Sequence, residues 1–393
     1  MLNFVNRKAD CTGCGVCMNS CPQKCISMEM DEEGFLYPVA SASCIHCGIC
    51  EKICPIINRQ TNKDGEDNIP QVYCGLSKDK KIWQKSSSGG AFTEICRAFG
   101  DDETIICGAA WDNFTVKHIS VHGVDNIDRL RKSKYISSDL GWVYSEIKTF
   151  LLDGKKVIFC GTPCQVDALK GFVGDNKNLL LIDLICHGGG SPKVFLSCIE
   201  VMSRQYGQKI CSYGFRSKRG AWQTDYLTKI VFENGDVKYL INDQYMQLFL
   251  SQKCLRPSCG GNCRYRLLPR QGDLTIADFK GRDEVFPELR GSKYNYSTIS
   301  FNTVKGLNIL KKLQKLMTLY QCSIDDIKKY NPLFYRQTKV SEYRDAFFQD
   351  YHDDPGKAIN KWTTPFIESR IGIRRKVYDL LPNKLRFIIL SRR

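Results

Sequence analysis

The sequence contains the run CTGCGVCMNSCP at residues 11–22, and residues 44–55 repeat its spacing as CIHCGICEKICP. In each run, two residues separate each of the first three cysteines from the next. Three residues then lead to a fourth cysteine, and a proline follows it directly. This spacing is typical of 4Fe-4S sites, because thiolates on one tight loop reach three irons of a cube while the fourth ligand comes from elsewhere. Two copies therefore predict two cubes.

The fourth cysteine of each run serves the other cluster in two-cluster ferredoxins. We therefore predict one cube held by Cys11, Cys14, Cys17 and Cys54, and a second held by Cys21, Cys44, Cys47 and Cys50. Zinc is the alternative, since C-x2-C pairs also form tetrahedral zinc sites, but zinc does not explain the third cysteine or the repeated proline. Cys25 has no place in this scheme and is predicted to be a small buried residue.

Composition sets the class of protein. A chain of 393 residues with 42% hydrophobic content predicts two or three globular domains. Its 21 cysteines do not indicate a disulfide scaffold, because nine of them lie in the first 54 residues at metal-binding spacing. Neither a signal peptide nor an apolar run long enough to cross a bilayer is present in the sequence, so we expect a reduced, cytoplasmic protein.

The net charge of +15 fits nucleic acid, an anionic membrane surface or an acidic redox partner. No zinc-finger or RNP-like motif accompanies it, which argues against nucleic acid. Much of the excess lies in a basic tail after Lys357, where apolar and basic residues alternate. A solvated terminal helix is the commoner outcome of such a pattern, and peripheral membrane contact is the alternative.

Patterning along the chain predicts the order of strands and helices. Strands are predicted at 25–31, 35–39, 104–110, 115–121, 157–160, 179–185, 226–232, 237–241 and 273–278, and helices at 91–99, 140–152, 164–172 and 191–205, with helices dominating after Leu307. The alternation between residues 157 and 205 favours a parallel sheet. Glycine and serine before the helix at residue 91 expose N–H groups that suit a phosphate, although a simple helix cap is the alternative.

Strand ends or loops are predicted for four further cysteines: Cys164, Cys186, Cys259 and Cys263. Taken singly, each would be interpreted as a buried thiol. Six stretches, taken together, show that the sequence resembles the coenzyme F420 hydrogenase/dehydrogenase beta-subunit family of iron-sulfur flavoproteins. They are Ser88–Thr93, Ser133–Tyr135, Gly161–Gln165, Asp183–Gly188, Ser258–Cys263 and Asp273–Asp278, in the order of the family.

The resemblance implies a bound FAD and a third 4Fe-4S cube on Cys164, Cys186, Cys259 and Cys263. It also implies flavin contacts from Ser88, Gly89, Gly90, Thr93, Ser133, Lys134, Tyr135, Gly161, Thr162 and Pro163. A helix N-terminus and Lys134 suit the pyrophosphate of such a cofactor. The family usually has a C-x2-C pair where this chain has Cys259 and Cys263 one residue further apart, so Cys254 is an alternative ligand.

We therefore predict an α+β fold: a two-cluster ferredoxin domain (1–58), a linker (59–71), a flavoprotein module in two parts (72–152 and 153–330) and a helical basic tail (331–393). The predicted function is electron transfer between FAD and iron-sulfur clusters. Its partners are ferredoxin or another redox protein, and a small-molecule hydride donor or acceptor such as F420. A non-catalytic electron-transfer subunit is the alternative.

Two residues are candidates for a catalytic acid. His187 follows the predicted ligand Cys186, and Asp278 ends a predicted strand. A lone histidine is more often structural, and Asp278 is no better supported.

Overall fold

The computed structural model describes residues 2, 7–58, 70–218, 227–260, 263–266, 268–336 and 341–368. Most of the predicted linker and the basic tail from residue 369 onward lie outside the described residues.

The N-terminal part consists of two short helices and a hairpin. Its elements are α1 (Val16–Ser20), β1 (Ile26–Met30), β2 (Leu36–Ala40) and α2 (Ile49–Lys52). The strands pair antiparallel, with Ile26 opposite Ala40, which confirms the predicted hairpin. Each helix begins after a glycine with positive φ, Gly15 at 70° and Gly48 at 72°, and each glycine follows the second cysteine of its run. The repeat in sequence is thus a repeat in structure.

The remaining strands build two sheets. In chain order they are β3 (Gln71–Ser77), β4 (Ile105–Asp112), β5 (Thr115–His122), β6 (Val157–Gly161), β7 (Leu179–Leu184), β8 (Ile210–Gly214), β9 (Leu227–Phe232), β10 (Val237–Ile241), β11 (Leu274–Asp278), β12 (Ser297–Phe301), β13 (Met317–Cys322) and β14 (Ile367–Glu368). Eight form the central sheet in the order β13-β3-β12-β11-β7-β6-β4-β5, and four form the order β14-β10-β9-β8.

Helices cover the sheets. They are α3 (Lys80–Lys85), α4 (Ala91–Phe99), α5 (Val143–Leu152), α6 (Pro163–Val173), α7 (Pro192–Tyr206), α8 (Gln244–Leu250), α9 (Arg282–Val285), α10 (Val304–Leu307), α11 (Leu310–Leu316), α12 (Ile324–Tyr330), α13 (Arg344–Asp353) and α14 (Pro355–Trp362). Local sequence explains where two of the helices begin. Thr162 and Gln165 form a capping box on α6, and the Ser191 side chain caps α7; in both helices a proline follows the capping residue.

The α+β fold class is confirmed, and so are the predicted strands and helices before Leu307, apart from shifts of their ends. Two expectations need correction. The central sheet is mixed, because β4, β6, β7 and β11 run parallel while the outer pairings are antiparallel. After Leu307 the helices are interrupted by β13, which adds to the free edge of β3, so tertiary pairing overrides the local helical preference.

The N-terminal part packs directly on the central sheet's helices. Cys14 and Val16 lie in one apolar cluster with Val143 of α5. The Asn19 amide donates to the carbonyl oxygen of Gly141 at 2.9 Å and its oxygen accepts from the Ser145 N–H at 3.1 Å. The predicted ferredoxin-like part is therefore held against the rest of the chain by specific contacts.

Gly89 shows how tightly the start of α4 fits against the sheet. A Cβ at this position would meet the Gly75 carbonyl oxygen and lie 2.6 Å from the Ser297 nitrogen, both backbone atoms of paired strands. We expect Gly89→Ala to lower the free energy of unfolding by about 1–3 kcal/mol, as overpacking does. Anaerobic denaturant unfolding measures this change.

The matched control is Gly171→Ala, because Gly171 lies in α6 and a methyl group added there would meet no other atom. It should leave stability unchanged or raise it by about 0.5–1 kcal/mol. Equal effects of the two substitutions would contradict the close fit at Gly89.

Candidate functional site

The structure brings together the four cysteines predicted for the first cube. Burial raises the pKa of Cys14 to about 12, and the neighbouring thiolates of Cys11 and Cys54 raise it further. Burial also raises the pKa of Cys17, with Cys14, Cys11 and Cys54 adding to the effect. Cys54, which belongs to the second run, is thus close enough to interact electrostatically with the cysteines of the first run. We call these four cysteines the first thiol group.

The second thiol group, Cys21, Cys44, Cys47 and Cys50, lies nearer the surface. Cys47 is exposed. Burial raises the pKa of Cys50, and the thiolates of Cys47 and Cys44 add to it. Cys25 is buried, as predicted, but its Sγ lies 3.4 Å from that of Cys21, so it borders this group rather than an apolar core alone.

The third thiol group forms where two parallel strands end. Cys164 lies in the first turn of α6 after β6, and Cys186 follows β7. Burial raises the pKa of Cys164 well above its usual value, and the thiolates of Cys186, Cys259 and Cys263 add to the effect. Burial likewise raises the pKa of Cys186 to about 12, with Cys259 and Cys263 as its nearest charged neighbours.

Cys254 lies apart from the third thiol group. It is buried in an apolar cluster with Cys198, Tyr245 and Leu255. Cys263, and not Cys254, lines the same cavity as Cys164, Cys186 and Cys259.

Within the described residues, no three histidine, cysteine or acidic side chains converge as they do around a single metal ion. Soft thiolate ligands without histidine or carboxylate are the usual donor set of iron-sulfur clusters.

A cavity of about 740 Å³ adjoins the third thiol group. It is lined by all four of that group's cysteines and by Ser88, Gly90, Thr93, Ser133, Lys134, Tyr135, Gly161, Thr162 and Pro163 of the predicted flavin contacts. Gly89 does not line it, because this residue packs against β3 and β12. The volume falls in the range of cofactor and ligand pockets.

Polar atoms without a partner concentrate on this cavity. Among the described residues, Thr12 Oγ1, Thr93 Oγ1, both ring nitrogens of His118, Arg131 Nη1, Ser258 Oγ and Asn331 Oδ1 are buried without a hydrogen-bond partner, and all six residues line the cavity. Buried polar groups are nearly always paired, since leaving one unpaired costs about 1–3 kcal/mol. The lining therefore suits a large polar ligand, and FAD fits that description.

The ammonium group of Lys134, a residue of the cavity lining, bonds to the backbone of the preceding turn. Its Nζ donates to the carbonyl oxygens of Arg129, Leu130, Arg131 and Lys132, at 2.8–3.4 Å. Burial lowers the pKa of Lys134 to about 7. The side chain thus holds the turn after residues 124–130, and the neighbouring Arg131 and Lys132 are further cations of the cavity lining.

His187 and Asp278 both line the cavity but are engaged by other residues. The His187 Nε2 lies 3.1 Å from the Phe249 carbonyl oxygen, which only accepts, so Nε2 carries the proton. Burial lowers the pKa of His187, and the nearby Arg266 lowers it further. The Asp278 carboxylate accepts hydrogen bonds from both terminal guanidinium nitrogens of Arg216, with 3.0 Å between Nη2 and Oδ1.

Sequence reasoning missed Arg216 and Lys218, which follow β8. Arg216 also donates to Tyr135 Oη and to the Ser87 carbonyl oxygen, each at 3.2 Å. Lys218 donates to the carbonyl oxygens of Trp83 and Ser88 at 2.6 and 3.0 Å. These residues tie together stretches far apart in the chain, and no local motif marks them.

The thiol groups and the cavity define an iron-sulfur protein of the oxidoreductase class. Residues 154–327 match the family model for the C terminus of the coenzyme F420 hydrogenase/dehydrogenase beta subunit, and residues 10–57 match the 4Fe-4S dicluster domain. Residues 154–327 thus belong to the coenzyme F420 hydrogenase/dehydrogenase beta-subunit family, and residues 10–57 form an N-terminal 4Fe-4S dicluster domain.

Among solved structures, the chain is similar to a chain of the F420-reducing NiFe hydrogenase complex from Methanosarcina barkeri, in a xenon-derivatized form. The identity is 19%, the match covers 74% of this chain and 91% of that chain, and the TM-score is 0.44. No curated protein matches the sequence. None of the described helices is long and apolar enough to span a membrane.

The third thiol group predicts the effect of single serine substitutions on iron content. We expect Cys263→Ser to remove about four irons per chain, because a cube that loses a thiolate ligand is labile. Cys254→Ser, a buried cysteine nine residues away, should retain the full iron content. Iron and sulfide analysis of anaerobically purified protein measures both, and iron loss in Cys254→Ser alone would make Cys254 the ligand instead.

Proposed function

We propose that this chain is an FAD- and 4Fe-4S-dependent oxidoreductase that passes electrons between a flavin in the cavity and its iron-sulfur clusters. The observation that carries the proposal is the cavity itself, which is bounded by the third thiol group and lined by unpaired buried polar atoms. The division proposed for the chain is 1–58 for the clusters, 59–71 for the linker, 72–152 and 153–330 for the flavin module, and 331–393 for the tail.

A bound flavin would supply exchange of two electrons with a small-molecule hydride donor or acceptor, F420 or another compound, and of single electrons with clusters. The protein's own contribution is to fix the walls of the cavity. The Ser87 hydroxyl accepts the Ser133 N–H at 2.9 Å, and Arg216 joins Ser87, Tyr135 and Asp278. Two of the stretches proposed to contact the flavin, 88–93 and 133–135, are thereby held in one arrangement before any ligand binds.

In this proposal His187 and Asp278 help to shape the cavity and orient groups around the ligand. His187 keeps Nδ1 as its free acceptor, because Nε2 donates to Phe249. Asp278 orients Arg216, whose second nitrogen reaches Ser87. Both residues line the cavity, so each is proposed to contact the substrate or the cofactor, with no acid role assigned to Asp278.

The second thiol group is the proposed entry point for ferredoxin or another redox protein. Cys47 is exposed beside Ile45, whose side chain is 60% exposed, whereas Cys14 and Cys17 of the first group are buried. Electron transfer falls off with distance, so an exposed cluster at the surface suits exchange with a partner. The first group then lies between the partner and the third group.

The decisive experiment is anaerobic purification with spectroscopy and metal analysis. The proposal predicts a flavin absorption spectrum and about twelve irons per chain, four for each of three cubes. Protein that holds its clusters but no flavin would refute the proposed enzyme, and about eight irons would refute the third cube.

A non-catalytic electron-transfer subunit is the second candidate. It is supported by the matched family model, whose description is that of a beta subunit. Turnover of the isolated chain with reduced ferredoxin or dithionite and candidate acceptors, compared with the same assay in the presence of co-purifying proteins, separates the two. Turnover only with the added proteins favours the subunit.

Two proposals concern the protein's location. None of the 21 cysteines, all of which lie in the described residues, forms a disulfide, which supports a proposed location in the reducing cytoplasm. Membrane contact through the basic tail concerns residues outside the described part, and liposome flotation with and without residues 366–393 tests it. Flotation that survives removal of the tail would contradict this proposal.

Thr93 gives a specific test of the flavin site. Its Oγ1 is buried without a partner, and the residue is 2% exposed on the cavity wall. Thr93→Val preserves the shape and removes the hydroxyl, so we expect the flavin dissociation constant to rise by about tenfold, equivalent to about 1.4 kcal/mol. Fluorescence titration of the deflavinated protein measures it.

The control is Thr149→Val, since the Thr149 hydroxyl bonds only within the exposed face of α5. That variant should bind flavin as the unaltered protein does. An unchanged dissociation constant in Thr93→Val would remove Thr93 from the site.

A further inference from the structure

Arg256 lies between the first and the third thiol groups. Its backbone N–H donates to the Gly189 carbonyl oxygen at 2.9 Å, and its carbonyl oxygen accepts from the Cys259 N–H at 2.9 Å. Gly189 in turn donates to the Cys259 Sγ at 3.2 Å. The backbone of Arg256 is thus part of the loop that carries the third group.

The side chain of Arg256 points to the first thiol group. Its Nε donates to the Cys11 carbonyl oxygen at 2.7 Å, and Nη2 donates to the Leu36 carbonyl oxygen at 2.9 Å. Nη2 also lies 3.6 Å from the Cys11 Sγ, within reach of a weak N–H···S hydrogen bond. The guanidinium carbon stands 4.2 Å from the centre of the Tyr37 ring.

The approach of Arg256 also accounts for the glycine in the first cysteine run. A Cβ on Gly13 would lie 2.7 Å from Arg256 Nη1, and Gly13 has a φ of +69°. The loop between Cys11 and Cys14 is therefore shaped to admit the guanidinium. Such a fit indicates a specific contact between the two parts of the chain.

The charge on Arg256 has no carboxylate partner within the part of the chain that the structure describes. The residue is 4% exposed, and the groups that receive its N–H donors are two carbonyl oxygens and a cysteine sulfur. Arg344 provides the contrast, because this equally buried arginine also holds the N-terminal hairpin but pairs with the Glu33 carboxylate.

We propose that Arg256 is a positioning residue that raises the reduction potential of the cube on the first thiol group and holds that cube beside the third thiol group. The inference deepens the proposed function and rests on it only for the identity of the cubes. It assigns to one side chain both the electrostatic tuning and the alignment of neighbouring electron-transfer sites.

The sign follows from electrostatics. A cube held by four thiolates is negatively charged and becomes more so when it gains an electron. A buried cation near one sulfur, with an N–H directed to it, stabilises the reduced form more than the oxidised form, which raises the potential. The effect is local, so the second and third cubes should respond much less.

The test compares Arg256→Gln with Arg344→Gln in the full-length, anaerobically purified protein. Potentiometric EPR gives the reduction potential of each cluster, and Cys14→Ser identifies the first cube by the signal that it abolishes. We expect Arg256→Gln to keep its iron and to lower the potential of that signal alone. Arg344→Gln, which disturbs the contact between the two parts without touching a thiol group, should leave every potential unchanged.

Two results would overturn the proposal: an unchanged first-cube potential in an iron-replete Arg256→Gln protein, or a shift of equal size in Arg344→Gln. If Arg256→Gln loses iron, its cubes are reconstituted anaerobically with iron and sulfide before the titration. Arg256→Lys is the charge-retaining comparison: lysine keeps the charge but cannot reach two carbonyl oxygens and the sulfur together, so its first-cube potential should fall by less than that of Arg256→Gln. A fall in Arg256→Lys as large as in Arg256→Gln would refute the electrostatic role.

The outcome is independent of the flavin. Protein without flavin would refute the proposed oxidoreductase, and about eight irons would refute the third cube, while the first-cube potential could still be measured in either protein. A null result at Arg256 in protein with flavin and about twelve irons would refute only this inference.

Discussion

The buried ion pair between Asp183 and Arg270 is the interaction on which the site depends. Arg270 Nη2 lies 3.3 Å from Asp183 Oδ1 and donates to the Leu184 carbonyl oxygen at 2.8 Å, while the N–H groups of Gln271 and Gly272 donate to the other carboxylate oxygen. Both side chains are almost fully buried. Removing one partner from such a pair typically costs about 3–5 kcal/mol, so the chain after residue 263 is firmly fixed to β7.

That attachment explains how a third thiol group can form from three distant segments. The parallel pairing of β6 and β7 brings Cys164 and Cys186 to the same sheet edge, because their carboxyl ends point the same way. The remaining two cysteines lie on an irregular loop whose position no sheet determines. Arg270 also donates to the Tyr265 carbonyl oxygen at 3.0 Å, which holds that loop over the strand ends. The cavity lies at the same edge, as ligand sites in α/β sheets usually do.

The sequence predicted those features that depend on residues close together in the chain. Cysteine spacing separated the first two thiol groups, and the residues around Thr162 and Ser191 marked the starts of α6 and α7. It was uninformative where a contact joins distant positions. Nothing near Lys134 shows that its ammonium turns back to four carbonyl oxygens, and β13 exists as a strand only because β3 offers an unpaired edge. The extra residue before Cys263 leaves two ligand sets open in the sequence, and the fold places Cys263, but not Cys254, on the cavity wall with the other three cysteines.

Contacts between distant positions also hold the N-terminal part of the chain against the central sheet. A covalent connection alone does not fix the distance between two packed parts of a chain. Here the spacing is set by buried side chains that cross between the parts, including Asn19, Arg256 and Arg344. Each of these side chains bonds to backbone or carboxylate groups that would otherwise be buried without a hydrogen-bond partner. Separating the two parts would break all of these hydrogen bonds. The geometry of the electron path is therefore a property of the packed interface, and the linker only keeps its two sides in one chain.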